Sequence, residues 1–111
     1  MALEDVGQSL QELWLSYNQI EKLDGLQPCI KLHTLFLGNN RIKSWDEIGK
    51  VGQLPEIKAV LFVGNPIYGD KTKDDNAPYV VKRIPQIETV DGKMISPAVR
   101  KAAESLEWAV T

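Results

Sequence analysis

The chain has 111 residues, which is enough for one domain, and its 43% hydrophobic and 25% charged residues are ordinary for a soluble protein. A formal net charge of -2 argues against a general binder of nucleic acid or membranes, which is usually basic. The single cysteine, Cys29, excludes an internal disulfide and is compatible with a reducing cytosol. No apolar run approaches the ~18 residues of a membrane span, and the first residues do not resemble a signal peptide. We therefore expect a soluble, intracellular protein.

One sequence pattern recurs along the chain. Residues 10–20 fit LxxLxLxxNxI at every fixed position, and two further copies place Asn40 22 residues after Asn18 and Asn65 another 25 residues on. A period in the twenties with this pattern is typical of a leucine-rich repeat solenoid. One unit cannot bury its own leucines, so neighbouring units must stack. The predicted fold is α/β, with short parallel strands on the concave face, a helical or irregular convex side, a C-terminal cap and a terminal helix.

The alternation within each copy predicts a short β-strand followed by a turn. Leu13 and Leu15 flank Trp14, so the leucines point to one face of the strand and the tryptophan points to the other. The asparagine stands where the chain must turn. Because its amide can both donate and accept hydrogen bonds, Asn18 and its counterparts are expected to satisfy backbone groups that the turn leaves unpaired.

The repeats set the predicted domain organisation. Residues 1–95 are expected to form leucine-rich repeats with a C-terminal cap, and residues 96–111 a C-terminal helix. Residues 1–9 have the features of the end of a preceding repeat, with Leu3 and Val6 on its convex side, so we expect further N-terminal repeats to be missing. The alternative is that these residues form a short cap themselves. The repeat boundaries are predicted at 10–31, 32–56 and 57–67.

In the first repeat, the convex side is predicted to contain little helix. Pro28 limits any helix in the first repeat. In the second repeat, Ser44 and Glu47 have the spacing of a capping box, with Ser44 as N-cap and Glu47 at the third helical position. The convex core of this repeat is expected to be covered by Trp45, Ile48 and Val51.

A polar, turn-rich loop follows the third strand. Asp75 or Asn76 is predicted to cap a short helix over about 77–83, with Pro78 tolerated in its first turn. Residues 90–92 are predicted to form the last strand and turn.

The chain closes with a second predicted helix. Ser96 and Pro97 are suited to begin it, and it is expected to run to about residue 110. Arg100 and Lys101 are expected on its solvated face. An apolar stripe at helical spacing is predicted to lie across the end of the solenoid and consists of Val99, Ala102, Ala103, Leu106 and Val110.

The run from Glu4 to Ile20 resembles the middle of the leucine-rich repeat light chains of axonemal outer-arm dynein. Its most specific part is Glu-Leu-Trp-Leu-Ser-Tyr-Asn at 12–18. The resemblance extends from about residue 4 to residue 95, so the chain looks like the C-terminal portion of that family. The family's members are longer at the N-terminus, and residues 96–111 diverge from them. Further runs that follow the family pattern lie at 60–66 and 79–92.

The resemblance implies a non-catalytic motor subunit. Such a subunit binds a dynein heavy chain near the microtubule-binding tip of its stalk and modulates how the motor meets the microtubule, with tubulin a further candidate partner. The implied location is the cytoplasm and cytoskeleton, in the axoneme of a cilium or flagellum. The open alternative is a generic leucine-rich repeat adaptor, of the phosphatase-regulatory or tubulin-cofactor type.

The residue pattern itself indicates a protein-binding surface on the concave face. The central outward position of each strand is large and apolar, at Trp14, Phe36 and Leu61, and strands ~4.8 Å apart place these side chains in one ladder. We expect an apolar patch of a few hundred Å², with small neighbours leaving the rings accessible. The predicted surface comprises Glu12, Trp14, Ser16, Tyr17, Thr34, Phe36, Gly38, Asn39, Ala59, Leu61 and Val63. The alternative is that these side chains pack on each other or beneath a C-terminal helix folded across the concavity.

Other candidate sites are weaker. His33 has no second histidine or cysteine at metal-ligand spacing, and Cys29 has no activating base nearby, so Cys29 is expected to be buried and structural. The aspartates of the loop 70–76 lack the central glycine and closing glutamate of a calcium loop. No phosphate-binding, dinucleotide-binding or nucleophile-elbow motif is present. We expect no enzymatic activity, no cofactor and no metal.

Overall fold

The computed structural model describes residues 7–106, so Leu3, Val6 and Val110 of the predictions above lie outside the described residues. One sheet contains the strands in chain order: β1 Glu12–Trp14, β2 Thr34–Phe36, β3 Ala59–Leu61, β4 Thr89–Val90 and β5 Lys93–Met94. The helices are α1 Trp45–Val51, α2 Lys73–Arg83 and α3 Pro97–Glu104, with 3₁₀ turns at Gly7–Ser9 and Pro66–Tyr68. The strands β1 to β4 pair in parallel. The predicted leucine-rich repeat solenoid is confirmed.

Strand register puts the leucines of successive repeats into one core. Leu13 pairs with Leu35, Leu35 with Val60, and Val60 with Val90. Leu35 and Val60 are buried, whereas Leu13 at the first strand is only partly buried. Because side chains alternate along a strand, the residues between these positions lie on the opposite, concave side of the sheet.

The asparagines tie neighbouring repeats together. Asn40 Nδ2 donates to Leu37 O and Gly38 O in its own turn and to Leu15 O in the preceding repeat, at 3.0–3.2 Å. Its Oδ1 accepts from the Ile20 N–H at 3.1 Å. One side chain therefore satisfies backbone groups of two repeats, as the sequence predicted.

Asn65 also bonds its own turn and the preceding repeat, one repeat further on. Its Nδ2 donates to Leu37 O and Phe62 O at 2.8 Å, and its Oδ1 accepts from the Ile42 N–H at 3.1 Å. Asn18, in the first described repeat, is exposed and donates within its own turn, to Leu15 O at 2.8 Å.

An aspartate takes over this role in the last turn. The buried Asp91 accepts from the Phe62 and Val63 N–H groups at 2.7 and 2.9 Å, and Tyr68 donates its hydroxyl to the other carboxylate oxygen. Burial, together with the neighbouring Asp91 charge, raises the pKa of Tyr68, so the phenol stays protonated and keeps this hydrogen bond.

The convex helix α1 begins where it was predicted, with Ser44 Oγ accepting from the Asp46 N–H. The predicted capping box is wrong, because Glu47 does not reach back to Ser44. Its buried carboxylate instead accepts from the Leu23 N–H at 2.7 Å and from Lys50 Nζ at 2.9 Å. The reason is that the Leu23 N–H of the preceding repeat competes with Ser44 for the Glu47 carboxylate. Helix α1 places this carboxylate directly against the Leu23 N–H.

The helix α2 begins earlier than predicted, at Lys73 rather than near residue 77. Its N-cap is Thr72, and Asp75 stands at the third helical position in a reciprocal capping box. Neither Asp75 nor Asn76 is the cap, since Asn76 is buried and donates to Thr72 O at 2.8 Å. Pro78 consequently lies inside the helix instead of in its first turn.

The terminal helix α3 begins at Pro97 with Ser96 as N-cap, as predicted, but it ends at Glu104 and not near residue 110, because the Ser105 N–H caps it by bonding Ala102 O and Ala103 O. Ala103 is buried, but Ala102 of the predicted stripe is exposed. The helix packs against α2. Arg100 is not on the solvated face, because its guanidinium donates to Pro85 O at 3.0 Å and Ile87 O at 2.6 Å and clamps α3 to the segment after α2.

The helices within residues 7–106 are all too short or too polar to cross a bilayer.

The asparagine contacts generate a stability prediction. Replacing Asn65 by Ala leaves buried main-chain groups of two repeats without partners, so we expect the free energy of unfolding to fall by about 3 kcal/mol. Asn18→Ala is the matched control and is expected to cost less than about 1 kcal/mol, because the groups that it leaves are exposed. Urea unfolding followed by circular dichroism measures both values. Equal losses in the two variants would show that the Asn65 hydrogen bonds do not stabilise the packing of neighbouring repeats.

Glu47 generates a prediction about pH. Burial by itself would raise the pKa of this carboxyl, but the Leu23 N–H and the Lys50 ammonium outweigh burial and hold the pKa below its ordinary value. A lowered folded-state pKa contributes stability that is present above the ordinary value of about 4.3 and is lost as pH falls through the folded-state value. Glu47→Gln should therefore be less stable than wild type by about 1 kcal/mol at neutral pH.

The gap between the two proteins should close on acidification below about pH 4.3. Urea unfolding across a pH series measures it, with the exposed Glu56→Gln as the control for losing one charge. A gap that stays constant down to low pH would contradict the role given to the Glu47 carboxylate.

Candidate protein-binding surface

The large apolar side chains of the concave face form a ladder across three strands. Trp14 is in register with Phe36, and Phe36 with Leu61. The rings of Trp14 and Phe36 are 5.3 Å apart between centroids and are tilted by 37°. Trp14 nevertheless remains 68% exposed. The two rings therefore support each other and still present a broad apolar surface to solvent.

Further exposed residues continue this surface toward the carboxyl ends of the strands. Tyr17 is 81% exposed, and Val63 is 38% exposed. Tyr17 and Asn39 have left-handed backbone conformations, with φ of 61° and 56°, and each directly precedes a repeat asparagine. The turn conformation thus directs these two side chains outward at the rim, while Asn40, the residue after Asn39, is buried.

Gly38 has a different role from the one predicted. It is buried, and a Cβ atom there would come within 2.4 Å of Leu61 Cδ2. The Leu61 side chain therefore lies over Gly38, which contributes no surface of its own. A glycine at this position leaves room for the Leu61 side chain, which is in register with Phe36 in the apolar ladder.

The row nearer the amino ends of the strands is more polar. Glu12 is in register with Thr34, Thr34 with Ala59, and Ala59 with Thr89. Of these, Glu12 is exposed, and Thr34 and Ala59 are half-buried. Ser16 is half-buried as well. Every residue of the predicted surface therefore lies on the concave face or its rim. These placements do not test whether the surface binds a partner.

Sequence reasoning missed one residue of this face. Met94 on β5 pairs with Thr89 in antiparallel register and is 84% exposed. It extends the apolar surface beyond the fourth strand. The signal was available, because Asp91-Gly92 is a common two-residue hairpin turn, and both residues have positive φ, at 50° and 85°.

The alternative prediction placed the C-terminal helix across the concave face. In the described residues, α3 packs against α2 instead. Mutual packing is observed for the Trp14–Phe36 pair.

The remaining candidates do not form a chemical site. Cys29 is fully buried, and burial raises the pKa of its thiol, which makes it a poor nucleophile. His33 Nδ1 is hydrogen-bonded to Thr34 Oγ1 at 2.8 Å. In the segment 70–76, which was predicted to be a loop, Asp74 and Asp75 lie in the first turn of α2, where Asp74 pairs with Lys93 and Asp75 belongs to the capping box. Across residues 7–106 there is no cluster of side chains suited to hold a metal ion.

The sequence and the fold both have known relatives. The family profile described as Leucine Rich repeats (2 copies) matches residues 8–50. Among solved structures, a chain in the crystal structure of the Drosophila melanogaster SNF/U2A′ complex matches with a TM-score of 0.75 and 22% identity, covering 87% of this chain and 55% of that one. At that identity the likeness shows the fold alone. Together with the strand pairing, these matches show that the chain has the leucine-rich repeat fold.

Two curated proteins are similar to most of this chain. Dynein axonemal light chain 1 of Chlamydomonas reinhardtii is 39% identical over 106 residues, which cover 91% of this chain and 53% of that protein. The tubulin-specific chaperone cofactor E-like protein of Rattus norvegicus is 25% identical over 103 residues, covering 86% of this chain and 24% of that protein. The chain is thus similar to dynein axonemal light chain 1, and it spans about half of that relative's length.

The exposure of Trp14 leads to a prediction about stability. Trp14→Ala should lower the free energy of unfolding by about 1 kcal/mol or less, because it removes only the ring contact with Phe36. Phe62→Ala, in the core beneath the sheet, should lower it by about 3–5 kcal/mol. Urea unfolding of both variants compares the two losses. A loss for Trp14→Ala as large as that for Phe62→Ala would place the indole in the core and not on a binding surface.

Proposed function

We propose that this chain is a non-catalytic light chain of ciliary or flagellar outer-arm dynein. In this proposal it binds a dynein heavy chain near the microtubule-binding tip of the stalk and modulates how the motor meets the microtubule. It would then reside in the cytoplasmic cytoskeleton, in the axoneme. The 39% identity to dynein axonemal light chain 1 supports the motor assignment. The exposed concave ladder is the observation that carries the binding role.

The chemistry of the concave face suits a protein partner. Trp14 and Tyr17 are both mostly exposed, and aromatic side chains of this kind provide much of the binding energy at protein interfaces. Burying ~300 Å² of apolar surface would contribute roughly 7 kcal/mol before the costs of association. That is sufficient for one anchored contact, provided that polar groups at the rim keep their hydrogen bonds.

The second candidate is a general leucine-rich repeat adaptor, for which the similarity to the cofactor E-like protein is the supporting observation. The run at 12–18 favours the light chain over this adaptor. It contains the two aromatics, Trp14 and Tyr17, that the repeat does not need for its core. A family-specific run that places large apolar side chains in solvent is better explained by a partner than by folding.

A pull-down from ciliary extract tests the proposal. The wild-type chain and Trp14→Ala serve as baits, and Ile30→Ala is the matched control, because Ile30 is 49% exposed but lies outside the concave strands. We expect wild type and Ile30→Ala to recover a dynein heavy chain, identified by mass spectrometry. Loss of the Trp14 ring should weaken binding by about 2 kcal/mol, or roughly 30-fold in Kd.

The outcomes test the motor assignment and the concave binding surface separately. Equal recovery by all three baits would retain the motor assignment and contradict the concave face as the binding surface. Recovery of a phosphatase catalytic subunit or tubulin without dynein would favour the adaptor. Recovery of none of these partners by the wild-type chain would contradict both assignments.

A further inference from the structure

A cleft of about 270 Å³ lies where α2, the hairpin of β4 and β5, and α3 meet. Its apolar lining combines side chains from all three elements, of which the hairpin residue Val90 is buried and the others are half-buried or exposed. The volume is just below the ~300 Å³ at which clefts for drug-sized ligands begin, so a ligand the size of one amino-acid residue fits it. The apolar lining residues are Ala77, Val90, Met94, Ile95 and Val99.

The charged side chains that line this cleft are not balanced. They are Lys73, Lys93 and Asp74. Lys93 Nζ pairs with Asp74 Oδ2 at 3.0 Å. Lys73 Nζ donates to a main-chain oxygen, Asp91 O, at 3.4 Å, and it forms no ion pair with a carboxylate in the part of the chain that the structure describes. Two ammonium groups thus accompany one carboxylate, and the excess positive charge favours an anionic ligand.

Ser96 adds a hydrogen-bond donor to the same lining. As the N-cap of α3, its Oγ accepts from the Val99 N–H at 3.3 Å. A hydroxyl group also has one hydrogen to donate, and Ser96 is exposed. The Ser96 hydroxyl is therefore able to donate to a carbonyl or carboxylate oxygen in the cleft while it still caps the helix.

We propose that this cleft binds the carboxyl-terminal residue of a partner protein chain whose last side chain is aliphatic. The terminal carboxylate lies between Lys73 and Lys93 and accepts a charge-assisted hydrogen bond from Lys73. The aliphatic side chain is buried against Val90 and Val99. Capture of a terminal carboxylate is a recurring mode of peptide recognition. The proposal concerns a different site from the concave ladder, so either can fail without the other.

The combination of charge and apolar lining selects this ligand among anions. An aspartate or glutamate side chain would bring a carboxylate to the lysines but would leave the apolar lining uncovered. Only the last residue of a chain carries a carboxylate and an aliphatic side chain on the same carbon atom. A long-chain fatty acid also combines the two groups, but a cleft of about 270 Å³ is too small to bury its tail.

A nuclear magnetic resonance titration of the full chain tests the ligand class. The probes are N-acetylleucine, which ends in a carboxylate, and N-acetylleucinamide, which has the same side chain and no charge. We expect N-acetylleucine to shift the amide signals of Ala77, Ile95 and Val99 saturably, with a Kd on the order of 1–10 mM for so small a probe. N-acetylleucinamide and 4-methylpentanoate, a free aliphatic acid without the peptide amide, should each bind at least about fivefold more weakly.

Variants of the lining test the site. Lys73→Gln should weaken N-acetylleucine at least about fivefold, whereas Lys71→Gln, an exposed lysine outside the cleft, should stay within about twofold. Asp74→Asn removes the carboxylate that competes for Lys93 and should tighten binding about twofold. Ala77→Leu fills the cleft and should abolish binding without altering either lysine. Circular dichroism confirms that each variant is folded.

Two kinds of result would overturn the proposal. Equal affinity of N-acetylleucine and N-acetylleucinamide, or of wild type and Lys73→Gln, would show that the lysines do not recognise a carboxylate. Shifts confined to the concave strands, an absence of any shift, or equally tight binding of 4-methylpentanoate would show that the cleft does not bind the end of a protein chain.

Discussion

The asparagine at the end of each strand is the constraint on which the other features depend. Asn40 and Asn65 each bond their own turn and the neighbouring repeat, which fixes the spacing and register of adjacent strands. A slip of one residue would move every leucine to the solvent face. Because the asparagine contacts prevent that slip, the leucines face inward and Trp14 and Phe36 face outward. Packing of the core and exposure of the concave face have one common cause.

This common cause explains why a surface rich in aromatic side chains is compatible with a stable fold. The core lies on the other face of the sheet, where Leu35 and Phe62 are buried. The concave residues therefore affect stability mainly through contacts with each other, such as the tilted ring contact of Trp14 with Phe36 and the cover that Leu61 gives to Gly38. Substitutions on this face can change what it binds with little effect on the fold.

The parts of the structure that depend on local periodicity could be predicted from the sequence, and the parts that depend on competition between acceptors could not. Strand alternation and the asparagine turns follow from residue spacing alone. The Glu47 carboxylate had two possible main-chain donors, the Ser44 N–H and the Leu23 N–H. Only the packing of α1 against the first repeat shows that it accepts from Leu23. Likewise, Thr72 and Asp75 outcompete the cap predicted nearer to Pro78, because their reciprocal hydrogen bonds satisfy two helix-end amides.

The two ends of the described sheet differ in how the repeat pattern continues. At the C-terminal end Asp91 replaces the asparagine and leads into a hairpin, so the ladder ends in a closed turn with Met94 facing outward. At the other end Asn18 donates only within its own turn in the described residues, where β1 is the first strand. Trp14 stands on the first described strand and Met94 on the last, and both are mostly exposed. The apolar part of the concave face in the described residues therefore extends from the Trp14 indole to the closing hairpin, and the residues that end each strand set the direction in which these side chains point.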